Sequence, residues 1–368
     1  MRTERQIYSP NIHIKFLKSP TIGEKSFILI PKTNPMTRTV PTQQIPQALW
    51  LSAAERLVAR EGRQAAAKRL LASAPTHGID LDLMWGVIQS DPNPSKNRVR
   101  QVTLAVLGSG RTALLFLSNP ETSKTLGKPE TQTQEISASV HAALDGLKAR
   151  SPQEVTLAQT LIETDQAWAT QACLDAGMIS VGKLIYMRMP IGKASKHPDT
   201  PPIWPTGITV RPITTIDPNA LNTDYHNLIK ALETSYEDTL DCPELCGLRS
   251  MNDVVDSHSA SGDFNPARWH LIFKDNQPAG CCLLSHFPQT NSVELVYLGI
   301  SPIARGLGLG KSVLAHGINQ LGSIGIAEVT CAVDSRNEPA IRIYESLGFE
   351  SFDARIGFVA PITPESEH

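Results

Sequence analysis

The residues best suited to chemistry in this chain lie in one stretch, RGLGLGKSVLAHGINQLG, from Arg305 to Gly322. Gly306, Gly308 and Gly310 strip side chains from the backbone, and an apolar run follows with Leu314, Ile318 and Leu321 at helical spacing. A glycine loop that turns into a helix aims backbone N–H groups, and the positive end of the helix dipole, at an anion. The chemistry on offer is phosphate binding, and the loop's length and register decide which phosphate.

Two familiar phosphate loops fail here. The P-loop pattern G-x-x-x-x-G-K-[ST] is met at Gly310-Lys311-Ser312, but its leading position is Arg305. Starting from Gly306 leaves the loop one residue short of what wrapping a β-phosphate needs, and no strand-borne aspartate for magnesium stands out. The dinucleotide fingerprint G-x-G-x-x-G needs glycine where Lys311 stands. Elsewhere, Cys242 and Cys246 in CPELC have metal-ligand spacing but no second pair, so no metal site is expected. His258 and His270 have no motif around them and read as surface or structural residues.

Alternating strands and helices must position this loop. ITVRPIT opens the second half as a strand, WHLIFKDNQPAGCCLLSHF reads as strand–turn–strand, and SVELVYLGISP is the strand that feeds the loop. After the loop and its helix come a strand (AEVTCAVDS), a helix (PAIRIYESLGF) and a closing strand (RIGFVAP). The order argues for an α/β domain. In the first half, QALWLSAAERLVAREGRQAAAKRLLASA reads as helix interrupted near Gly62, and RQVTLAVLGSGRTALLFLSN as a hairpin turning at Gly108-Ser109-Gly110. A helix around Ile136 to Leu147 and the strand KLIYMRMP follow.

With 368 residues, 41% hydrophobic and 19% charged, the chain suits two domains with real cores. The division expected is a disordered tail over 1–42, a first domain over 43–191, a Pro/Gly-rich linker over 192–207 and a second domain over 208–368. Met36 is an alternative start. A net charge of -2 provides no global field for nucleic acid or an anionic membrane. No apolar run approaches the roughly 20 residues of a membrane span. Six cysteines without a leader-like segment favour a reduced, cytoplasmic setting.

The halves echo each other. EVTLAQ (Glu154 to Gln159) repeats as EVTCAV (Glu328 to Val333), an offset of 174 positions. Ala176-Gly177-Met178 matches Leu347-Gly348-Phe349, and Leu184-Ile185 through Pro190-Ile191 matches Arg355-Ile356 through Pro361-Ile362, at an offset of 171. A duplicated domain with a three-residue gap is the reading.

The loop fits a third pattern, R/Q-x-x-G-x-G/A, through Arg305, Gly308 and Gly310. Asn337, Ala340, Tyr344 and Leu347-Gly348-Phe349 fit N-x-x-A-x-x-x-Y-x-x-x-G-F. On these motifs the second half, about Ile208 to Ile362, resembles the GNAT acetyltransferase superfamily, whose loop holds the pyrophosphate of coenzyme A. The resemblance implies two tandem GNAT-like α/β domains, each a mixed central sheet flanked by helices, with the N-terminal copy degenerate. It implies acetyl-CoA as cosubstrate and a primary amine, of a small molecule or a peptide, as acceptor. The alternative is a non-catalytic acetyl-CoA-binding or protein-interaction module.

Residue by residue, the resemblance assigns the pantetheine-pairing backbone to Leu298, Gly299 and Ile300. It assigns the pyrophosphate amides to Arg305, Gly306, Leu307, Gly308, Leu309, Gly310 and Lys311, and a helix cap that also touches pantetheine to Asn337. Tyr344 becomes the general acid for the thiolate, against the reading of a core tyrosine beside Ile341 and Leu347. Glu294 becomes the general base, against a polar residue at a strand entrance. Glu237, Asp238, Asp241 and Glu244 either attract a cationic amine or form a solvated loop. In the first half NPETSKTLGKPETQ replaces the loop and Cys173 stands opposite Tyr344, so that copy is expected to be silent.

Overall fold

Two runs of the chain fold in the same order. The first is β1 (Gln43–Gln44), α1 (Trp50–Leu57), α2 (Arg63–Ser73), β2 (Met84–Gln89), β3 (Arg98–Gly108), β4 (Thr112–Leu117), α3 (Pro129–Lys148), β5 (Leu157–Glu163), α4 (Ala167–Asp175) and β6 (Ile179–Pro190). The second is β7 (Ile208–Pro212), α5 (Asp224–Ser235), α6 (Met251–Ser259), β8 (Trp269–Lys274), β9 (Gln277–Phe287), β10 (Ser292–Ile300), α7 (Leu309–Asn319), β11 (Glu328–Asp334), α8 (Glu338–Ser346) and β12 (Glu350–Pro361). The computed structural model describes residues 40–121, 127–150, 154–191, 202–218, 224–323 and 325–363. The expected tail up to residue 39, with Met36, and most of the 192–207 linker lie outside the described residues.

From β5 to β6 the second run repeats the first at a constant offset of 171 positions: Leu157 to Glu328, Ala167 to Glu338, Ile179 to Glu350. The EVTLAQ/EVTCAV letter match is therefore three residues out of structural register. An odd slip would turn every core side chain of a strand to the wrong face. Ala158 and Ile162 do occupy the core positions of Val329 and Val333, which only the constant offset provides.

All twelve strands form one sheet, ordered β1-β2-β3-β4-β5-β12-β6-β11-β10-β9-β8-β7. The last strand of each half has been exchanged. β12 pairs antiparallel with β5 of the first half, from Arg355↔Glu163 to Pro361↔Leu157. β6 pairs antiparallel with β11 of the second, from Glu328↔Pro190 to Asp334↔Leu184. The two exchanged strands also pair with each other. On one face α3 and α4, then α7 and α8, cover two apolar cores that contain Phe358 and Ala360 of β12 and Met187 and Met189 of β6. On the other face α1 and α2 cover the first half's outer strands, and α5 and α6 the second's.

A side contact reinforces the join. Arg111, at the tip of the β3–β4 hairpin, makes a bidentate pair with Asp253 of α6 (2.7 and 2.6 Å). Gly110 beside it has φ 67°, and a Cβ there would lie 2.0 Å from the Asp253 carbonyl oxygen. Among the described residues no helix is long and apolar enough to cross a membrane.

Candidate active site

The glycine loop has a geometry that can seat an anion. Pro302–Ala304 form one 3-10 turn, after which Gly306 (φ 79°) and Gly308 (φ 72°) take left-handed backbone that favours glycine. Gly308 caps α7 with no side-chain bond. The first intrahelical bond runs from the Ser312 N–H to the Gly308 carbonyl (3.3 Å). The N–H groups of Leu309, Gly310 and Lys311 precede that bond and remain open to a ligand. Arg305 contributes differently from its expected role. Its amide closes a turn on Pro302 (3.3 Å), and its guanidinium holds the carbonyls of Ile300 (2.9 Å), Ser235 (3.2 Å) and Glu237 (2.6 Å). It fastens the loop to the end of α5.

Immediately before the loop the sheet opens. β10 and β11 pair in parallel only from Ser292↔Glu328 to Leu295↔Cys331, although both strands run on. A bulge at Val296 on the β9 side marks the divergence. Ser301 donates to the Ala279 carbonyl of β9 (2.9 Å), so by alternation Gly299 also faces β9 while Leu298 and Ile300 face the gap. The free edge is thus carried by Leu298 and Ile300, with the Ile300 carbonyl held by Arg305. Gly299 is glycine for packing, because a Cβ would fall 2.5 Å from the Tyr297 hydroxyl and 2.7 Å from Ser235 Oγ.

Glu294 and Tyr344 flank this gap from opposite faces. Val293 and Leu295 point into the core under α7 and α8, so Glu294 between them points the other way. Its side chain is half-buried, no donor or cation reaches its carboxylate among the described residues, and loss of water alone pushes its pKa up to about 7. Tyr344 sits in the α7/α8 core, 6% exposed, with its ring 5.7 Å from Phe349. Its hydroxyl makes no hydrogen bond among the described residues, and burial pushes its pKa well above the ordinary range. Asn337 caps α8 by accepting from the Ala340 N–H (3.3 Å), and its side chain also meets Asp241.

The acidic loop is largely engaged within the protein. Asp241 accepts from the Asp334 amide (2.8 Å), and Glu244 forms a two-pronged pair with Arg336 (2.6 and 2.8 Å), which also grips Asp334. Of these four acids, Glu237 and Asp238 keep carboxylates without such bonds among the described residues. Cys242 is buried in a left-handed turn, and Cys246 is exposed. His270 is buried against Gln320 (3.1 Å), and His258 lies beside Tyr297 (5.8 Å) with its pKa pushed down to about 3 by burial.

The same positions in the first half carry different chemistry. Register puts Leu114 where Glu294 stands, since Leu114↔Gln159 repeats Glu294↔Thr330. The constant offset puts Cys173 at Tyr344 and Gln166 at Asn337. Cys173 is fully buried with its thiol pushed up to about 12. The opening between β4 and β5 is stitched by the Thr160 hydroxyl on the Leu115 carbonyl (2.9 Å). Where a ligand loop would lie, Gln132 binds both the N–H and the carbonyl of Glu121 (2.8 Å each). Arg56 fills the rest, bonded to Gln101, Asn119 and Glu121.

One contributor was hidden in the sequence. β6, a first-half strand, lays Tyr186 beside the Glu294 face, close enough for the carboxylate to influence the phenol. No local pattern announces it, because its place follows from strand exchange.

Comparisons with known proteins agree with this geometry. Residues 232–349 match the family model described as "Acetyltransferase (GNAT) family". A mycothiol acetyltransferase of Thermomonospora curvata is 30% identical over 197 residues, 54% of this chain and 61% of that protein. One of Rhodococcus erythropolis is 34% identical over 113 residues, 28% of this chain and 37% of that protein. The matches therefore span less than two thirds of these relatives' length. A GCN5-related N-acetyltransferase from Sphaerobacter thermophilus shares the fold with a TM-score of 0.53 at 16% identity, over 90% of this chain and 99% of that one. The glycine loop and the opened strand pair both lie within residues 232–349, the segment of this chain that is similar to the GNAT acetyltransferase family.

Proposed function

We propose that this protein transfers an acetyl group from acetyl-CoA to a primary amine, using the second half alone. The pyrophosphate sits on the N–H groups of Leu309, Gly310 and Lys311, where the helix dipole favours negative charge. Pantetheine lies along the free edge of Leu298 and Ile300, and the thioester enters the gap between β10 and β11. Glu294, ionised, takes a proton from the ammonium, directly or through water. The amine nitrogen attacks the thioester carbon, the C–S bond breaks, Tyr344 gives the departing sulfur its proton, and the second proton of the attacking nitrogen passes to the resulting tyrosinate. The products are an amide and coenzyme A. Loss of water around Glu294 suits this role, since a base with a pKa near the working pH serves best.

The observation that carries the reading is the meeting of three unmet demands at one gap: an uncapped helix N-terminus, an unpaired strand edge and a carboxylate without a donor. The relatives named mycothiol acetyltransferase support acetyl transfer, and six unpaired cysteines fit a reducing, cytoplasmic setting. The first half is read as silent, because its gap is stitched and its loop filled from within. Calorimetric titration of acetyl-CoA tests this: one site per chain is expected, followed by coenzyme A release on adding amines. Two sites would return chemistry to the first half, and no binding would end the acetyltransferase reading.

A further inference from the structure

The strand exchange builds a side-chain row from both halves on the face opposite Tyr344. Glu294, Thr330, Arg188 and Glu350 stand in direct register across β10, β11, β6 and β12. Residues in register on neighbouring strands share a face, and two strand spacings put the Cα atoms of Glu294 and Arg188 about 10 Å apart. Only buried Thr330 stands between them. Two residues along β11, Ala332 pairs with Tyr186 and is exposed although its strand is interior. An exposed alanine at the middle of a sheet marks ground that no helix covers. Here it is the floor of a groove. Phe352, bulged out of β12, completes the far wall, with its ring 6.3 Å from that of Tyr186 and 5.3 Å from the Arg188 guanidinium.

The groove's charges are not matched internally. Arginines nearby have their carboxylates: Arg336 has Asp334 and Glu244, and Arg355 has Asp353 and Glu163. Arg188 is exposed and has no ion-pair partner among the described residues, even though Glu350 is its register neighbour. It lies over Phe352 instead. An aromatic face restrains a guanidinium while leaving its N–H fork free, which is the geometry that takes a carboxylate or a phosphate. Glu294, at the other end of the row, also has no partner among the described residues. One anion-seeking group and one proton-accepting group face the same groove across a single small residue.

We propose that Arg188 binds an anionic group of the acceptor, so that the substrate is an amine carrying a carboxylate or a phosphate a few bonds from its nitrogen. The proposal rests on the acetyltransferase reading and deepens it. The nitrogen lies at Glu294 and the anion at Arg188. The Tyr186 hydroxyl, which makes no hydrogen bond among the described residues, lies alongside as a donor. The acceptor specificity of the second half is then set by a strand of the first.

The test measures amine binding by calorimetry on the full chain saturated with coenzyme A, which permits no turnover. The probes are 4-aminobutyrate, O-phosphoethanolamine and, without an anion, n-butylamine. Wild-type protein is expected to bind at least one anionic amine tenfold or more tighter than n-butylamine, and the better of the two identifies carboxylate or phosphate. In Arg188→Gln the ratio falls to about one, and in Arg188→Lys part of it returns. Three equal affinities, no binding of either anionic amine, or a preference that survives in Arg188→Gln each overturn the proposal. The acetyl-CoA titration above separates the two readings: if that ligand does not bind, acetyl transfer fails first and this inference falls with it.

Discussion

Glu294 owes its raised pKa to loss of water and not to a neighbouring anion, so its titration belongs to one residue and not to a pair. In its proposed role as base it works ionised, so kcat/KM should rise through about pH 7 and level off above it. Glu294→Gln is expected to lower kcat/KM by roughly 10²- to 10⁴-fold and to erase that limb, as a pH–rate profile would read. The same shift bears on stability. The folded pKa lies above the ordinary 4.5, so the fold prefers the protonated form, and stability is lost as pH rises from about 4.5 through about 7. Glu294→Gln removes that loss, and its melting temperature should gain on wild type across that window. Tyr344→Phe keeps the ring in its core and deletes only the proton. It should lower kcat by roughly 10- to 1000-fold while acetyl-CoA affinity stays within about twofold, since the hydroxyl has no bond to lose in the resting protein. Neither role could be read from residue type and spacing alone. A glutamate in a strand and a tyrosine in an amphipathic helix are ordinary, and only resemblance to a family singled them out.

At the scale of elements, the proposed phosphate seat depends on α7 starting where it does. Gly308 has open space around it, so a side chain meets no protein atom, but its φ of 72° strains any L-residue. Gly308→Ala should cost about 1 kcal/mol of stability, readable by denaturant titration, with modest loss of acetyl-CoA affinity. Gly308→Asp adds a negative charge at the anion's own position, and binding is expected to weaken by about 100-fold or more in calorimetry. The helix start was legible beforehand, because glycines followed by an apolar stripe at helical spacing mark a loop turning into a helix. The acidic loop was not. Its composition invites a cation, yet Asp241 and Glu244 answer Asp334 and Arg336, residues some ninety positions away. Sequence adjacency carries no information about such partners.

For the whole molecule, the decisive fact is that neither half completes its own sheet. Separated, residues 208–368 would leave β11 without β6, and β12 without β5 or β6. Expressed alone, that segment should show no cooperative melt by circular dichroism, whereas the intact chain should unfold in one transition. The alternation of strands and helices announced two similar α/β units, but not the exchange. Both KLIYMRMP and RIGFVAP read as generic closing strands, and strand order is decided by contacts between residues far apart in the chain. The letter match of EVTLAQ with EVTCAV even pointed to the wrong register, because short β-rich strings recur by composition.

The exchange also constrains how such a gene can change. After a duplication, a copy that loses its catalytic groups would ordinarily be free to decay and be deleted. Here deletion of the first half would remove the strand that carries Tyr186 and Arg188, bare one edge of β11 and leave β12 without either neighbour, an invitation to aggregation. Single residues such as Leu114 and Cys173 are free to differ from their second-half counterparts, while the segment itself cannot be lost. On the proposed reading, in which only the second half acts, the first half is still kept in place by the strand it lends.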